Sequence, residues 1–286
     1  MSIDDRGDVV TALGRPRRAS VGRLLGAELR WVLRRPRTLV MLGLFALIPV
    51  LISIGVAVAD GSGRGPDLVG AIAGNGLVLP VAAMSLSLAL LLPLAVAMAA
   101  ADAIAGEAAH GTLRGLLLSP VGRLRLVGMK AFGVLVVATL ATLVVAVVGV
   151  VAGLVVVGGA DRLITLSGTT VGLGEALARV ALVAVWVVGQ LAAVGAVASA
   201  ISSVTEHPLV VLACVLGGLI VFGVLAAIPA LEWLSPYLLT SGWTAGADAL
   251  RDPLPLAAMI ESSLRALCYT AIGVGLTTLR MLNRDA

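Results

Sequence analysis

Residues 106–130 read GEAAHGTLRGLLLSPVGRLRLVGMK. This island carries Glu107, Arg114, Arg123, Arg125 and Lys130, and a Gly-Thr and a Ser-Pro pair punctuate its helical stretches. On both sides lie apolar runs long enough to cross a bilayer. A helix needs about 20 apolar residues to traverse the hydrocarbon core. The island is therefore a charged loop between two spans, and that reading sets the fold for the whole chain.

Composition agrees. The 286 residues are 59% hydrophobic and 13% charged, with a mean hydropathy of +1.09. Soluble domains run nearer about 45–50% apolar and about 25% charged. An integral membrane protein is expected, not a globular enzyme with a large core. Backbone polar groups cannot stay unpaired in lipid, so each span must be helical, valine-rich runs included. Six spans are expected, at 38–59, 77–101, 131–157, 176–200, 209–228 and 263–281. The first apolar run starts only near residue 38, and no short apolar region with a small-residue cleavage site precedes it. No cleaved signal is expected.

Six spans put both termini on one side, and the positive-inside rule says which. With the N-terminal tail, the 102–130 loop, the 201–208 loop and the C-terminal tail in the cytoplasm, 15 of the 20 basic residues lie there. The other five are Arg64, Arg162, Arg179, Arg251 and Arg265. The expected location is the plasma membrane, with both termini cytoplasmic. The net charge of +4 follows from this topology and needs no nucleic acid.

Before the first span, Val21–Arg37 places Leu24, Leu25, Leu29, Val32 and Leu33 near one helical face, flanked by Arg23, Arg30, Arg34 and Arg37. This is the pattern of an interfacial helix, held by apolar burial and by attraction to anionic lipid. Pro36 should break it before the first span. Beyond the fifth span, 229–262 carries four prolines with Trp233, Tyr237 and Trp243. Its apolar stretches are too short to span, so short outer helices at the interface are expected. The expected fold is thus all-α: a tail and interfacial helix over 1–37, then a six-span domain over 38–286. That domain contains the 102–130 loop and the outer 229–262 segment.

Within the loop, Gly111 can end an extension of the second span, and Thr112 can cap a helix over Leu113–Leu118. Ser119-Pro120 ends that helix. Leu113, Leu116 and Leu117 are then free to insert into a partner's groove. From the residues alone, a short loop whose arginines only enforce topology stands equally well.

The residues Gly106-Glu107, Gly111-Thr112-Leu113, Leu116-Leu117, Ser119-Pro120-Val121, Arg123 and Lys130 resemble the signature of ABC transporter permeases of the type 2 export class. That signature reads roughly E-x-x-x-G-T-L-x-x-L-L-x-x-P-V-x-R. His110 and Gly122 depart from common family choices without disturbing the pattern. The resemblance implies that two permeases, identical or related, pair. Each would dock its loop on a separate ATP-binding subunit, two copies in all, and those subunits would bind ATP and Mg. It also implies that Glu107, Gly111, Thr112, Leu113, Leu116, Leu117, Pro120 and Arg123 form the coupling element. This chain itself holds no G-x-x-x-x-G-K-[ST] and no metal-ligand spacing, so no cofactor and no catalysis of its own are expected. Leu166-Ser167-Gly168 echoes part of an ATPase signature but falls in an outer loop.

Polar residues inside the membrane are costly and often functional. Gln190, mid-way along the fourth span, either lines a substrate path or hydrogen-bonds a neighbouring helix. Pro49 and Pro80, with Pro93, should interrupt the first two spans, either to shape a cavity or gate or as simple packing irregularities, two readings that stand equally. Gln190, Pro49 and Pro93 are the candidate path residues. Glu175 with Arg179, and Glu261 with Arg265, read as i,i+4 anchors at the outer ends of spans. Gly149 and Gly153 form a small-xxx-small pair that allows close approach. Cys214 and Cys268 read as free, buried thiols. Sparse polarity in the spans suits a hydrophobic or amphiphilic cargo such as a drug, peptide or lipid. An ion-gradient carrier would need titratable groups in the bundle, which are scarce. A non-transporting scaffold subunit is the remaining reading.

Overall fold

The computed structural model describes residues 36–58, 75–106, 123–158 and 162–283, together with Gly26, Arg30 and Arg34. The expected interfacial helix over 21–37 falls mostly outside these residues. Gly26, Arg30 and Arg34 are helical.

In chain order the elements are α1 (Pro36–Val58), α2 (Leu79–Ala89, entered through a 3-10 turn at Gly76–Val78) and α3 (Leu91–Ala101, continued by a π turn at Asp102–Gly106). Then come α4 (Arg123–Ala152, continued by a π turn at Gly153–Val157), β1 (Arg162–Ile164), β2 (Thr170–Gly172) and α5 (Leu173–Ser202). The last are α6 (Pro208–Ala226), two 3-10 segments (Pro229–Tyr237 and Leu239–Leu250) and α7 (Leu256–Asn283). Among the described residues, four helices are long and apolar enough to cross a membrane: Pro36–Val58, Leu124–Val157, Leu173–Ser202 and Pro208–Ala226. Gly76–Ala89 with Leu91–Gly106, a pair bent by 54°, passes the same test together and brings the number to five where the pair is counted as one span. The sixth expected span lies inside α7. This helix has 28 residues but is less apolar, because it carries Glu261, Arg265 and Arg280.

The bend has a local cause. Pro93 lacks an N–H, and its ring clashes with the carbonyl four residues back. That carbonyl belongs to Ala89, the last residue of α2, and Leu90 sits outside the helical region at φ −150°, ψ −49°. The other two prolines correct the expectation. Pro49 lies inside an unbroken α1. Pro80 occupies the first turn of α2, where no N–H is needed.

α5 is the hub. It packs on α3, α4, α6 and above all α7, and of the apolar spans it is the most buried. The indole of Trp186 on α5 donates to Ser262 Oγ on α7 at 3.0 Å. Interhelical hydrogen bonds of this kind average about 0.6 kcal/mol in membranes, so close packing does most of the work. Small residues provide it. A Cβ on Gly149 would stand 2.8 Å from Pro80 Cα, and one on Gly153 would overlap the Gly76 carbonyl. Likewise a Cβ on Gly273 would stand 2.6 Å from the Ala196 carbonyl carbon. The Gly149–Gly153 pair thus serves an approach within the chain, between α4 and the start of α2. The buried positions of α4 recur as pairs every four residues, at 133/134, 137/138, 141/142 and 145/146. They follow the ridge that four-residue spacing makes on a helix surface.

One end of the bundle is capped. β1 and β2 pair antiparallel, with Leu163 opposite Val171, both buried. This hairpin is the departure from the all-α expectation, and it contains the Leu166-Ser167-Gly168 stretch. Gly168 sits at φ 82°, left-handed backbone that glycine adopts without steric cost. The second 3-10 segment lies across the bundle with Leu239, Trp243, Ala245 and Leu250 buried. A polar network joins these pieces. Leu166 N donates to Leu250 O at 2.8 Å, Thr169 Oγ1 to Asp252 Oδ2 at 2.9 Å, and Asp252 N to Ser167 Oγ at 3.0 Å. From the start of α2, Asn75 Nδ2 donates to Ile164 O at 2.6 Å.

Both i,i+4 pairs form, and each reaches further than expected. Arg179 Nη2 contacts Glu175 Oε1 at 2.6 Å, and its Nη1 donates to Arg251 O at 2.8 Å and to Ala249 O at 3.3 Å. Arg265 holds Glu261 at 2.9 Å and donates to Leu238 O at 2.9 Å. The two cysteines are free but exposed, not buried, because each lies on the outward face of its helix.

Candidate functional site

The opposite end of the bundle carries the charged loop. α3 runs into the π turn Asp102–Gly106, and α4 begins at Arg123. Both ends of the 107–122 segment are thus held by long helices at one end of the molecule. The intervening residues Glu107, Gly111, Thr112, Leu113, Leu116, Leu117 and Pro120 lie outside the described residues. Arg123 is described in its backbone as the first residue of α4.

The loop's base is fixed from below. Ala105 N donates to Ser202 Oγ at 3.0 Å, both buried. The Ser202 hydroxyl in turn donates to Ala101 O at 3.4 Å. One serine at the end of α5 therefore ties the hub helix to the last turn before the loop. The wide π turn presents Ala105 N to that serine, and such single-turn π bulges are frequent at functional sites. Ile104, Val127 and Met281 make a small apolar cluster beneath the loop, joining the ends of α3, α4 and α7. Arg37, at the start of α1, lies 4.0 Å from Asp102 Oδ2. Reading the sequence placed Arg37 only on the flank of the interfacial helix, and did not single out Asp102 or Ser202. The signal available was modest: a serine pair closing the fourth apolar run and one acidic residue closing the second.

The candidate path residues are each buried. Pro49 and Pro93 face the protein interior. Gln190 has no exposed surface, and neither its amide oxygen nor its nitrogen has a hydrogen-bond partner among the described residues. The expected bond to a neighbouring helix is not made. A Cβ on Gly195 would meet the Val96 side chain at 3.0 Å, and α3 and α5 run in the same direction. Counting back five residues on each helix sets Gln190 at the level of Leu91, beside the break between α2 and α3. The structure thereby brings two candidates to one level, Gln190 and the bend that Pro93 causes, while Pro49 belongs to a continuous helix elsewhere.

The break has an exposed side. Leu86, Ala89, Leu90 and Leu91 are exposed in the isolated chain, and no side chain caps the start of α3. Non-helical backbone at membrane depth is tolerated only where protein or a water-filled cavity covers it. Among the described residues, no group of three or more His, Cys, Asp or Glu side chains is placed to hold a metal ion.

No match is found among curated proteins. The family described as "ABC-2 family transporter protein" matches residues 23–245, a stretch that takes in the loop, its base and the bend. With most of its length so matched, and with apolar helices framing a charged loop, the chain belongs to the ABC-2 family of membrane transport subunits.

Proposed function

We propose that this chain is the membrane-spanning permease of an ATP-driven exporter. Six helices cross the plasma membrane, α7 being the sixth, with both termini in the cytoplasm. Two permeases pair, and each docks its 107–122 segment on a separate ATP-binding subunit that carries ATP and Mg. Leu113, Leu116 and Leu117 enter the partner's groove. Glu107, Gly111, Thr112, Pro120 and Arg123 shape and hold the coupling element.

The observation that carries this reading is the loop's mounting. Its two ends leave from α3 and α4, and Ser202 joins its base to α5. A pull on the loop therefore reaches three helices directly. ATP binding would draw the two loops together and move those helices. The bend at Leu90 supports a translocation face between the two copies, since its backbone cannot face hydrocarbon. Gln190 lies at the same level, buried beneath the bend, with its amide groups unpaired among the described residues. The apolar spans around it suit a hydrophobic or amphiphilic cargo, such as a drug, peptide or lipid.

Tagged protein co-expressed with its genomic neighbours and purified in mild detergent tests the reading. An ATP-hydrolysing protein should accompany the wild type and be lost from Leu117→Glu. Transport by Leu117→Glu equal to that of wild type would remove the docking role. Transport surviving ATP depletion but lost with the ion gradient would replace the exporter by a secondary carrier.

A further inference from the structure

Four polar side chains line one seam beneath the second 3-10 segment. Ser85 Oγ, Thr240 Oγ1, Trp243 Nε1 and both amide atoms of Gln190 are buried without a hydrogen-bond partner among the described residues. Their placement is joint. Gly246 rests on the bundle: a Cβ there would stand 2.9 Å from the Trp186 ring on α5 and 3.5 Å from Ser85 Oγ on α2. Thr240 and Trp243 precede Gly246 at three-residue spacing, and side chains three apart eclipse on a 3-10 helix. Both therefore lie on the face that Gly246 turns towards α2 and α5. Gln190 follows Trp186 by four residues, so it sits one turn further along the same face of α5.

A buried donor or acceptor left without a partner is destabilising, and native proteins keep few of them. Four side chains on one seam point to a shared ligand, not to four separate defects. Backbone groups join them. Pro93 offers no N–H to the Ala89 carbonyl, and no side chain caps the start of α3. Groups freed in this way at membrane depth are met by neighbouring side chains or by ordered water. The 54° bend between α2 and α3 parts two helix ends that would otherwise pack as one rod, and so leaves room beside Gln190.

Chemistry narrows the ligand. Serine and threonine hydroxyls both donate and accept, the glutamine amide does each at a separate atom, and the indole only donates. None of the four ionises near neutral pH, so the seam offers no charge to an ion or a charged headgroup. Trp186, which walls the seam, already gives its N–H to Ser262. The fitting ligand is neutral, small, and able both to donate and to accept. Water meets all three demands, and a buried water typically makes about three hydrogen bonds to groups of this kind.

We propose that this seam binds a file of ordered water, running from Thr240 and Trp243 at the capped end, past Ser85, to Gln190 and the break at Leu90. The file hydrates the interior of the bundle at membrane depth, and its binding does not depend on the transport reading.

Hydroxyl-radical footprinting by X-ray radiolysis tests the proposal on the full-length protein in mild detergent, without nucleotide, partner or cargo. Bound water yields radicals in place and oxidises the side chain beside it, even where bulk solvent does not reach. Trp243 and Phe45 are both buried, and Phe45 lies on α1, away from the seam. With each rate scaled to the residue's intrinsic reactivity, Trp243 should be oxidised severalfold faster than Phe45. It should keep that rate when a bulky scavenger clears radicals from the bulk. Ser85→Ala combined with Thr240→Val removes two anchors and should bring Trp243 down to the rate of Phe45. Gln190→Leu should lower the Trp243 rate as well, and keeps the test readable if the double variant fails to fold. Equal scaled rates for Trp243 and Phe45 in the wild type would overturn the proposal. So would a Trp243 rate abolished by the scavenger, or one unchanged in the folded variants.

Discussion

The two ends of the bundle are tied by different chemistry. At the capped end a hairpin, a 3-10 segment, Asn75 and Arg179 are cross-linked by side-chain and backbone hydrogen bonds between residues some 70 to 90 positions apart in sequence. Arg179, almost wholly buried, gathers two carboxylates and two backbone carbonyls on one guanidinium, which suits its fixed planar fork. At the loop end the ties among the described residues include a buried serine between α5 and α3, an ion pair at 4.0 Å and a three-residue apolar cluster. The difference is one of chemistry: a guanidinium-centred polar network at the capped end, and a hydroxyl-to-backbone tie beside apolar packing at the loop end. In the exporter proposed above, a partner would pull at the loop end and the capped end would hold the helices together.

Substitutions ranked by their cost to stability probe that contrast. The largest cost should come from Gly153→Val, which forces a branched side chain into the backbone of Gly76. Backbone cannot yield as a side chain can, so the cost should exceed about 3 kcal/mol. Size-exclusion chromatography should show aggregate in place of a monodisperse peak. Next is Arg179→Ala, which removes a buried cation from its partners and should cost about 3 kcal/mol. Its thermal midpoint in detergent should fall by several degrees, and a midpoint equal to wild type would mean that the cap is not what holds this end. Ser202→Ala leaves Ala105 N unpaired for about 1 kcal/mol, a small shift in melting. Its larger effect should be on the ATP hydrolysed per substrate exported, measured in vesicles. Gln190→Leu removes two unpaired polar atoms and should leave stability unchanged or raised, while narrowing the range of substrates exported. Leu117→Glu should leave melting untouched yet abolish partner association. A melting change there, with association retained, would erase the contrast between the two ends.

The helices were legible because hydropathy reports burial in lipid directly. The expected 176–200, 209–228 and 131–157 lie within or close to Leu173–Ser202, Pro208–Ala226 and Leu124–Val157. Pro93 announced a disturbance in the second span, although the break falls at Leu90, because the clash acts one turn back. The hairpin was missed. Its signal was two short runs of β-branched residues, Ile164-Thr165 and Thr169 to Val171, around a Ser-Gly turn. In a chain this apolar, a three-residue strand carries little weight against the spans beside it. The i,i+4 partner of Arg179 was readable from spacing. Its reach to Ala249 and Arg251 was not, since no local pattern encodes contacts made across 70 residues. For the same reason Ser202 drew no notice until the fold set it beside Ala105.

The exposed thiols of Cys214 and Cys268 have a practical consequence. They are the chain's only cysteines, one on α6 and one on α7, and both point away from the bundle. The protein thus carries its own pair of reporters on two outward faces. A spin label or a membrane-permeant maleimide attached there, with no engineered residue, would distinguish a face bathed in acyl chains from one pressed against a second subunit. The same two positions could follow that face through a cycle of nucleotide binding and release.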